Sequence, residues 1–400
     1  MKKLILSCSV LMAMAIGTGG CAQATSRNNS DTERIMEIVA EAPVAKGIRD
    51  VSAKNETKIQ VAILLDTSGS MSGLINQAKS RLWNIVNILT TLKYQGKSPM
   101  IEIALYEYGS SRIGNHDYVR QVTPLTTDLD LISEKLFALT TGGSVENCGT
   151  VIDNAMRTLE WGNNESDMKL IYIAGNEEFT QGRISYKTAI ENSLKKDIYV
   201  NTIHCGNAET GIRDLWRDAA IRGKGKFFNI DSNAKVRYVE TPYDDMISHC
   251  NERLNKTYMN YGRVGYERQV NQAMQDENAR SISKSNYAER AVSKSKSIYN
   301  NSSWDLVDRV KEDKDALSKI DKKELPAELQ NKSMAELQKL VAEKEKERSE
   351  IQKEISELAK KRQEYIDAQS QADGDEDDLG KAVNTSILAF AKAKGYSFSE

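Results

Sequence analysis

The sequence predicts an α/β protein: a doubly wound, mostly parallel sheet with one antiparallel edge strand, followed by an α-helical C-terminal module. Three observations carry this. Between residues 57 and 260, short apolar runs alternate with amphipathic helical patterns, as expected for strands covered on both faces by crossover helices. One pair of runs, in "YEYGSSRIGNHDYVRQV", is joined by a short polar connection, which reads as a hairpin and gives the antiparallel edge. Past residue 260 the strand pattern stops and helical periodicity takes over.

Along the chain, residues 1–24 read as a signal peptide. Lys2 and Lys3 precede the apolar run "LILSCSVLMAMAIG", too short to span a bilayer as a helix of ~20 residues. Two processing sites compete. "TGGC", ending at Cys21, resembles a lipobox in which Cys21 would be lipidated; "AQA" at 22–24 suits ordinary signal peptidase. The lipobox is preferred, and either route exports the chain to the periplasm or to a membrane-anchored state. Residues 25–56 are polar and read as a tether, with "TERIMEIV" as a short helix.

Residues 57–260 form the α/β domain. Its strands are "IQVAILLD", "MIEIALYEYG", "YVRQVTPLT", "MKLIYIAG", "YVNTIHCG" and "KFFNID". Its helices fit "GLINQAKSRLWNIVNILTTLK", "DLISEKLFAL", "CGTVIDNAMRTLEW", "SYKTAIENSLKK", "IRDLWRDAAIRG" and "YDDMISHCNERLNKTY".

Residues 261–303, rich in Ser and Asn, read as a polar, partly helical linker. Residues 304–372 read as a helical, coiled-coil-like module. There Ser333 and Glu336 form a capping box. Leu337, Lys344, Ile351, Leu358 and Tyr365 recur every seven residues, as do Val341, Arg348, Ile355 and Arg362. The basic positions on this seam favour a packed long helix or helical hairpin over an independent zipper. Residues 373–400 read as an acidic linker, "DGDEDD", and a terminal helix.

The net charge of −2 offers nothing to a polyanion, so nucleic acid is not expected as a partner. No His-x-x-x-His or Cys-x-x-Cys spacing points to zinc. "DGDEDD" lacks the Gly and Glu of a calcium loop and reads as a solvated linker.

The chemistry lies in "VAILLDTSGSMSG", residues 61–73. Ligands of parallel sheets sit beyond the carboxyl ends of strands, and Asp66 is at such an end. Ser68 and Ser70 follow at alternate positions. One carboxylate and two hydroxyls make a hard-oxygen set suited to Mg²⁺, or to Mn²⁺ or Ca²⁺. Such a set leaves the metal under-neutralised, so it can accept a carboxylate from another molecule.

"DTSGS" after an apolar strand resembles the metal-ion-dependent adhesion site, D-x-S-x-S, of von Willebrand factor type A (VWA) domains. "TTGGSVENCGTVIDNA" is similar to the second metal loop of that family and "LIYIAGNEEF" to its third. The resemblance covers residues 57–260. It implies Asp66, Ser68, Ser70 and Ser144 as metal ligands, Ser144 standing where the family has Thr. It also implies a partner protein presenting Asp or Glu, and no catalysis. In the third loop Gly175 stands where the family has Asp. Asn176, Glu177 or Glu178 would have to supply the lost group, or Glu146 from the second loop.

Cys205 ends a strand and Cys148 lies in the loop bearing Ser144, which places both on one side of the sheet. A disulfide between them is expected to stiffen that loop. His204 precedes Cys205 and falls near the site.

Two other function classes follow from the same residues. In an enzyme of the haloacid dehalogenase type, Asp66 would be a nucleophile, but the second Asp required two residues on is Ser68 here. No G-x-S-x-G elbow frames Ser68 or Ser70 as a nucleophile. A metal-independent scaffold of the cell envelope, working through the helical C-terminal module, is the alternative to a metal-dependent binding module.

Overall fold

The computed structural model describes residues 56–114, 116–145, 147–370 and 379–398. The signal peptide with Cys21, residues 25–55 of the tether, Glu146 and the acidic run 373–378 lie outside the described residues.

Six strands form one sheet in the order β4-β3-β1-β5-β6-β7. They are β1 (Lys58–Asp66), β3 (Met100–Tyr108), β4 (Val119–Thr126), β5 (Met168–Gly175), β6 (Ile198–Cys205) and β7 (Lys224–Ile230). β3 and β4 pair antiparallel as a hairpin, and every other pair is parallel. From β1 the chain proceeds outward through β3 and β4. It then returns to the other side of β1 for β5, β6 and β7. The order therefore reverses at β1 and β5, and a crevice is expected beyond their carboxyl ends.

The helices that follow cover both faces. One face holds α1 (Ser72–Thr90), α2 (Leu129–Phe137) and α7 (Asp244–Asn255) over Val61, Leu65, Leu170 and Ile203. The other holds α3 (Cys148–Thr158), α4 (Tyr186–Lys195) and α6 (Trp216–Arg222) over Ala62, Leu64, Ile171 and Ile173. α5 (Ala208–Arg213) caps the carboxyl end of β6. The alternation of side chains along a strand sets these two layers.

Residues 261–303 depart from the expected partly helical linker. They fold into α8 (Gly265–Ile282) and α9 (Lys284–Lys294), which pack against each other and against α1, α2 and α7. Gln272, Gln275, Asp276, Arg290 and Lys294 are buried. Hydrophobic periodicity misses such a segment because many of its buried side chains are polar or charged and are paired with one another or with neighbouring helices.

Arg290 Nε lies 2.5 Å from Asp276 and its Nη1 2.9 Å from Asp130 on α2. The guanidinium stacks over Trp83 of α1, 4.6 Å from the ring centre. Lys294 Nζ donates to Asp276 at 2.9 Å and to Asn255 at 2.5 Å. Asn251 and Asn255 also donate to Asp276, at 2.9 and 2.8 Å.

After the short helices α10 (Leu306–Glu312), α11 (Ala316–Lys319) and α12 (Ala327–Gln330), the heptad segment is one helix, α13 (Met334–Ser370). Ser333 and Glu336 cap it reciprocally. Leu337 and Val341 pack with Leu306 and Leu317, while Ile351, Ile355 and Leu358 join the α/β core. Two of the three basic seam positions, Arg348 and Arg362, are buried in ion pairs, and the third, Lys344, is half-buried and pairs with Glu347. Arg348 donates to Asp305 at 2.7 Å and Asp308 at 2.8 Å, and its guanidinium lies 4.1 Å from the Tyr258 ring centre. Arg362 donates to Asp244 at 2.8 Å.

The terminal helix α14 (Leu379–Ala393) returns to the sheet. Leu379, Val383, Ile387 and Phe390 share a core with Leu65, Leu74 and Leu82. Ser386 donates to Asn201 of β6 at 2.7 Å. Beyond it, β8 (Ser397–Phe398) pairs with β2 (Leu92–Lys93).

The charge cluster sets a pH dependence. Burial alone favours a neutral Asp276, but Lys294 and Arg290 outweigh it and hold the carboxyl well below the usual range. Burial pushes Lys294 down to about 8, only partly offset by Asp276. A carboxyl depressed in the folded state adds stability above its unfolded pKa and loses it as pH falls toward the folded one. A depressed lysine acts in the other sense, so stability from Lys294 rises as pH climbs through about 8. Asp276→Asn leaves two buried cations under-compensated and should cost about 3–5 kcal/mol at neutral pH. In urea unfolding its gap to wild type should narrow below about pH 4; a constant gap would contradict the ionised pairing.

Candidate functional site

β1 delivers Asp66 to the carboxyl edge of the sheet. Asp66 is buried, and its Oδ1 accepts from Ser68 N at 2.6 Å, an Asx turn that bends the chain into α1. Thr67 N donates to Tyr108 O at 2.8 Å, tying the turn to β3. Ser68 Oγ and Ser70 Oγ are 3.4 Å apart. Asn176 Nδ2, from the loop after β5, donates to Ser70 Oγ at 3.3 Å.

The second loop lies against this turn through backbone contacts. Gly69 N donates to Gly143 O and Gly142 N to Thr67 O, both at 2.9 Å. Gly143 has φ +95°, and a Cβ there would sit 2.4 Å from Ser111 N, so only glycine permits this approach. Ser144 follows it and is exposed.

The structure thus brings Asp66, Ser68, Ser70 and Asn176 together, with Ser144 beside them on a docked loop. Glu177 is exposed; its fixed atom is the carbonyl oxygen, which accepts from Trp216 Nε1 at 2.7 Å. Glu178 accepts from Thr180. Glu146 lies outside the described residues.

The expected disulfide is overturned. Cys148 packs in the core with α3 and α4, and Cys205 in the core on the opposite face; the two are not joined. Both lie near the carboxyl edge, but the sheet separates them. Cys205 follows His204 along β6, and neighbouring strand residues point to opposite faces.

His204 lies on the Cys148 face, in register with Gly175. Its Nδ1 is 2.7 Å from Asn229 Oδ1. Because Asn229 Nδ2 donates to Gly206 O, Oδ1 is the acceptor and Nδ1 carries the proton.

Two residues that the motif does not mark decide the shape of the site. Tyr108 pairs with Asp66 across β1 and β3, and its hydroxyl donates to Ala174 O at 3.0 Å. A Cβ on Gly175 would lie 2.6 Å from Tyr108 Oη and 3.1 Å from both Asp66 Cβ and Trp216. The space of an aspartate side chain at 175 is therefore filled by Tyr108 and Trp216. No local sequence signal marks this, because Tyr108 meets Gly175 only through the register of β3, β1 and β5.

The donors suit a hard cation. Carboxylate, hydroxyl and amide oxygens are the ligands such ions take, and Asn176 Oδ1 is a buried acceptor with no hydrogen-bond partner among the described residues. Among the described residues, however, no group of three or more His, Cys, Asp or Glu is placed to hold a metal. At this edge Glu107 is also buried; burial pushes its carboxyl up, with Arg120 partly offsetting the rise.

A doubly wound sheet with an Asp-x-Ser-x-Ser turn at its switch point defines a ligand-binding α/β class. Residues 60–241 match the family model of the von Willebrand factor type A domain. Several solved structures are similar to this part of the chain. An aerotolerance-related membrane protein from Bacteroides fragilis is 16% identical with a TM-score of 0.31, over 44% of this chain and 93% of its own. BatB from Bacteroides thetaiotaomicron is 16% identical with a TM-score of 0.34, over 43% and 90%. Proximal thread matrix protein 1 from the mussel byssus, in a form with a zinc-occupied MIDAS motif, is 14% identical with a TM-score of 0.34. That match covers 44% of this chain and 42% of the mussel protein, so the chain spans less than half of it. No curated protein matches the chain. Among the described residues no helix is long and apolar enough to cross a membrane.

The packing at Gly175 is testable by a double-mutant cycle. Gly175→Ala should destabilise by about 1–3 kcal/mol through overpacking. Combined with Tyr108→Phe, which removes the nearest atom, the two changes should cost less than their sum in urea unfolding. Strict additivity would mean that Tyr108 does not set the limit.

Proposed function

We propose that this protein is a non-catalytic binding module that engages a partner protein through the carboxyl edge of its sheet. A divalent cation, Mg²⁺ or else Mn²⁺ or Ca²⁺, would be held by Asp66, Ser68, Ser70 and Ser144, with Asn176 supplying its amide oxygen. When bound, the cation supplies a Lewis-acidic point for an Asp or Glu of the partner. The observation that carries this reading is the meeting of Asp66, Ser68, Ser70 and Asn176 at the end of β1. Asp66 holds the turn by accepting from Ser68 N, and Asn176 ties the third loop to Ser70. Gly175 and Tyr108 withhold a second carboxylate at that position, so the partner's acid would complete the charge balance. Export, with lipid attachment at Cys21 bringing the module to a membrane surface, belongs to the same proposal.

A metal-independent scaffold is the second reading. The filled space at Gly175 favours it.

Calorimetric titration of the full chain with Mg²⁺, Mn²⁺ and Ca²⁺ separates the two. The first reading expects weak binding, with Kd on the order of 0.1–1 mM as for weakly charged oxygen sites. Asp66→Ala should abolish it, and Ser70→Ala, an exposed change, should weaken it without unfolding the protein. Equal heats from wild type and both variants would leave the scaffold reading.

A further inference from the structure

α8 (Gly265–Ile282) is amphipathic in the reverse sense. Its inner face is polar, with Gln272 and Asp276 buried against Arg290 and Lys294, and Gln275 buried and accepting from Ser133 of α2. Its outer face is apolar: Tyr266, Val270 and Met274 are 71%, 46% and 56% exposed, and Ala273 is exposed beside them. Arg263, Tyr266, Val270, Ala273 and Glu277 follow one another at alternating steps of three and four. That is the spacing of a helix–helix seam.

The ends of the seam carry opposite charge, Arg263 before the first turn and Glu277 near the last. A two-fold axis through Val270 would set two such helices antiparallel. Tyr266 of each copy would then meet Met274 of the other, and Arg263 would meet Glu277, giving two ion pairs from one self-complementary patch. Glu277 already lies 3.4 Å from Arg280 on its own helix, in an exposed pair that leaves the carboxylate accessible. Around the stripe Arg263 and Arg280 are matched by Glu267 and Glu277, and a border without net positive charge disfavours an anionic lipid surface as the occupant.

We infer that the outer face of α8 is a self-association surface, whose occupant is the α8 helix of a second copy in antiparallel orientation. The inference is independent of the site at Asp66.

Sedimentation equilibrium of the full chain over a range of concentrations tests it. Wild type should associate to a dimer. Val270→Glu should weaken the dimer by more than about tenfold, because a carboxylate would be left unpaired within the seam. Arg263→Glu should also weaken it, and the double variant Arg263→Glu/Glu277→Arg should restore it. All three positions are exposed, so thermal unfolding should match wild type; if Val270→Glu disturbs folding, the charge exchange still decides. A monomer at every concentration would overturn the inference, as would association insensitive to Val270→Glu and to Arg263→Glu. Binding of a monomeric protein to phosphatidylglycerol vesicles, lost in Val270→Glu, would assign the stripe to a membrane and also overturn it.

Discussion

The buried guanidinium of Arg290 is the point on which the layers of this protein depend. It binds Asp130 of the α/β domain on one side and Asp276 of α8 on the other, and it stacks on Trp83 of α1. A buried cation is costly unless its charge and its donors are all met. Here each acid answers a base: Asp130 and Asp276 face Arg290 and Lys294, and Tyr299 donates to Asp130 at 2.6 Å. The cluster is close to neutral, so α8 and α9 can lie against the domain through polar faces. The same arrangement turns the apolar side of α8 outward. Direction in this interface comes from charge geometry, since apolar packing alone would have favoured the opposite rotation of the helix.

The long helix follows the same logic. On its seam Leu337, Val341, Ile351, Ile355 and Leu358 supply area, while Arg348 and Arg362 supply register. Each arginine meets acids from separate elements: Asp305 and Asp308 in one case, Asp244 in the other. A shift of one turn, about 5.4 Å, would separate both arginines from their partners at once. Apolar residues tolerate such slippage far better, which is why the two buried arginines of a mainly apolar seam fix one alignment.

The fold was legible where the physical signal is local. Alternating apolar runs and helical periods placed the strands, and the short polar connection at 109–118 marked the antiparallel edge. The Asp66 turn was legible because its residues are consecutive and its chemistry is intrinsic to them. Gly175 was visible as a missing carboxylate. Its cause was not visible, because Tyr108 lies 67 positions earlier and meets Gly175 only through the register of β3, β1 and β5. The Cys148–Cys205 pairing failed for a simpler reason: edge was mistaken for face, and the period of two along "IHC" separates the cysteines. Residues 261–303 look like a linker because many of the residues that α8 and α9 bury are charged, amidic or hydroxylic, mixed with a few small or aromatic ones such as Ala279, Tyr287 and Ala291. Their partners are scattered over four other elements.

The return of α14 changes what counts as the domain. Residues 57–260 contain every strand of the main sheet, yet one face of that sheet is completed by Leu379, Val383, Ile387 and Phe390 from the far end of the chain. Without them Leu65, Leu74 and Leu82 would lose apolar cover, and Asn201, buried in β6, would lose the hydroxyl of Ser386. Burial of this kind contributes roughly 1.5–3 kcal/mol for each large side chain, so the helical half is part of the folding unit. It attaches to the face of the sheet and leaves Ser70 and Ser144 exposed at the carboxyl edge. The C-terminal residues therefore hold the sheet from its face, while the turn at Asp66 keeps its outer hydroxyl, Ser70, open at the carboxyl edge.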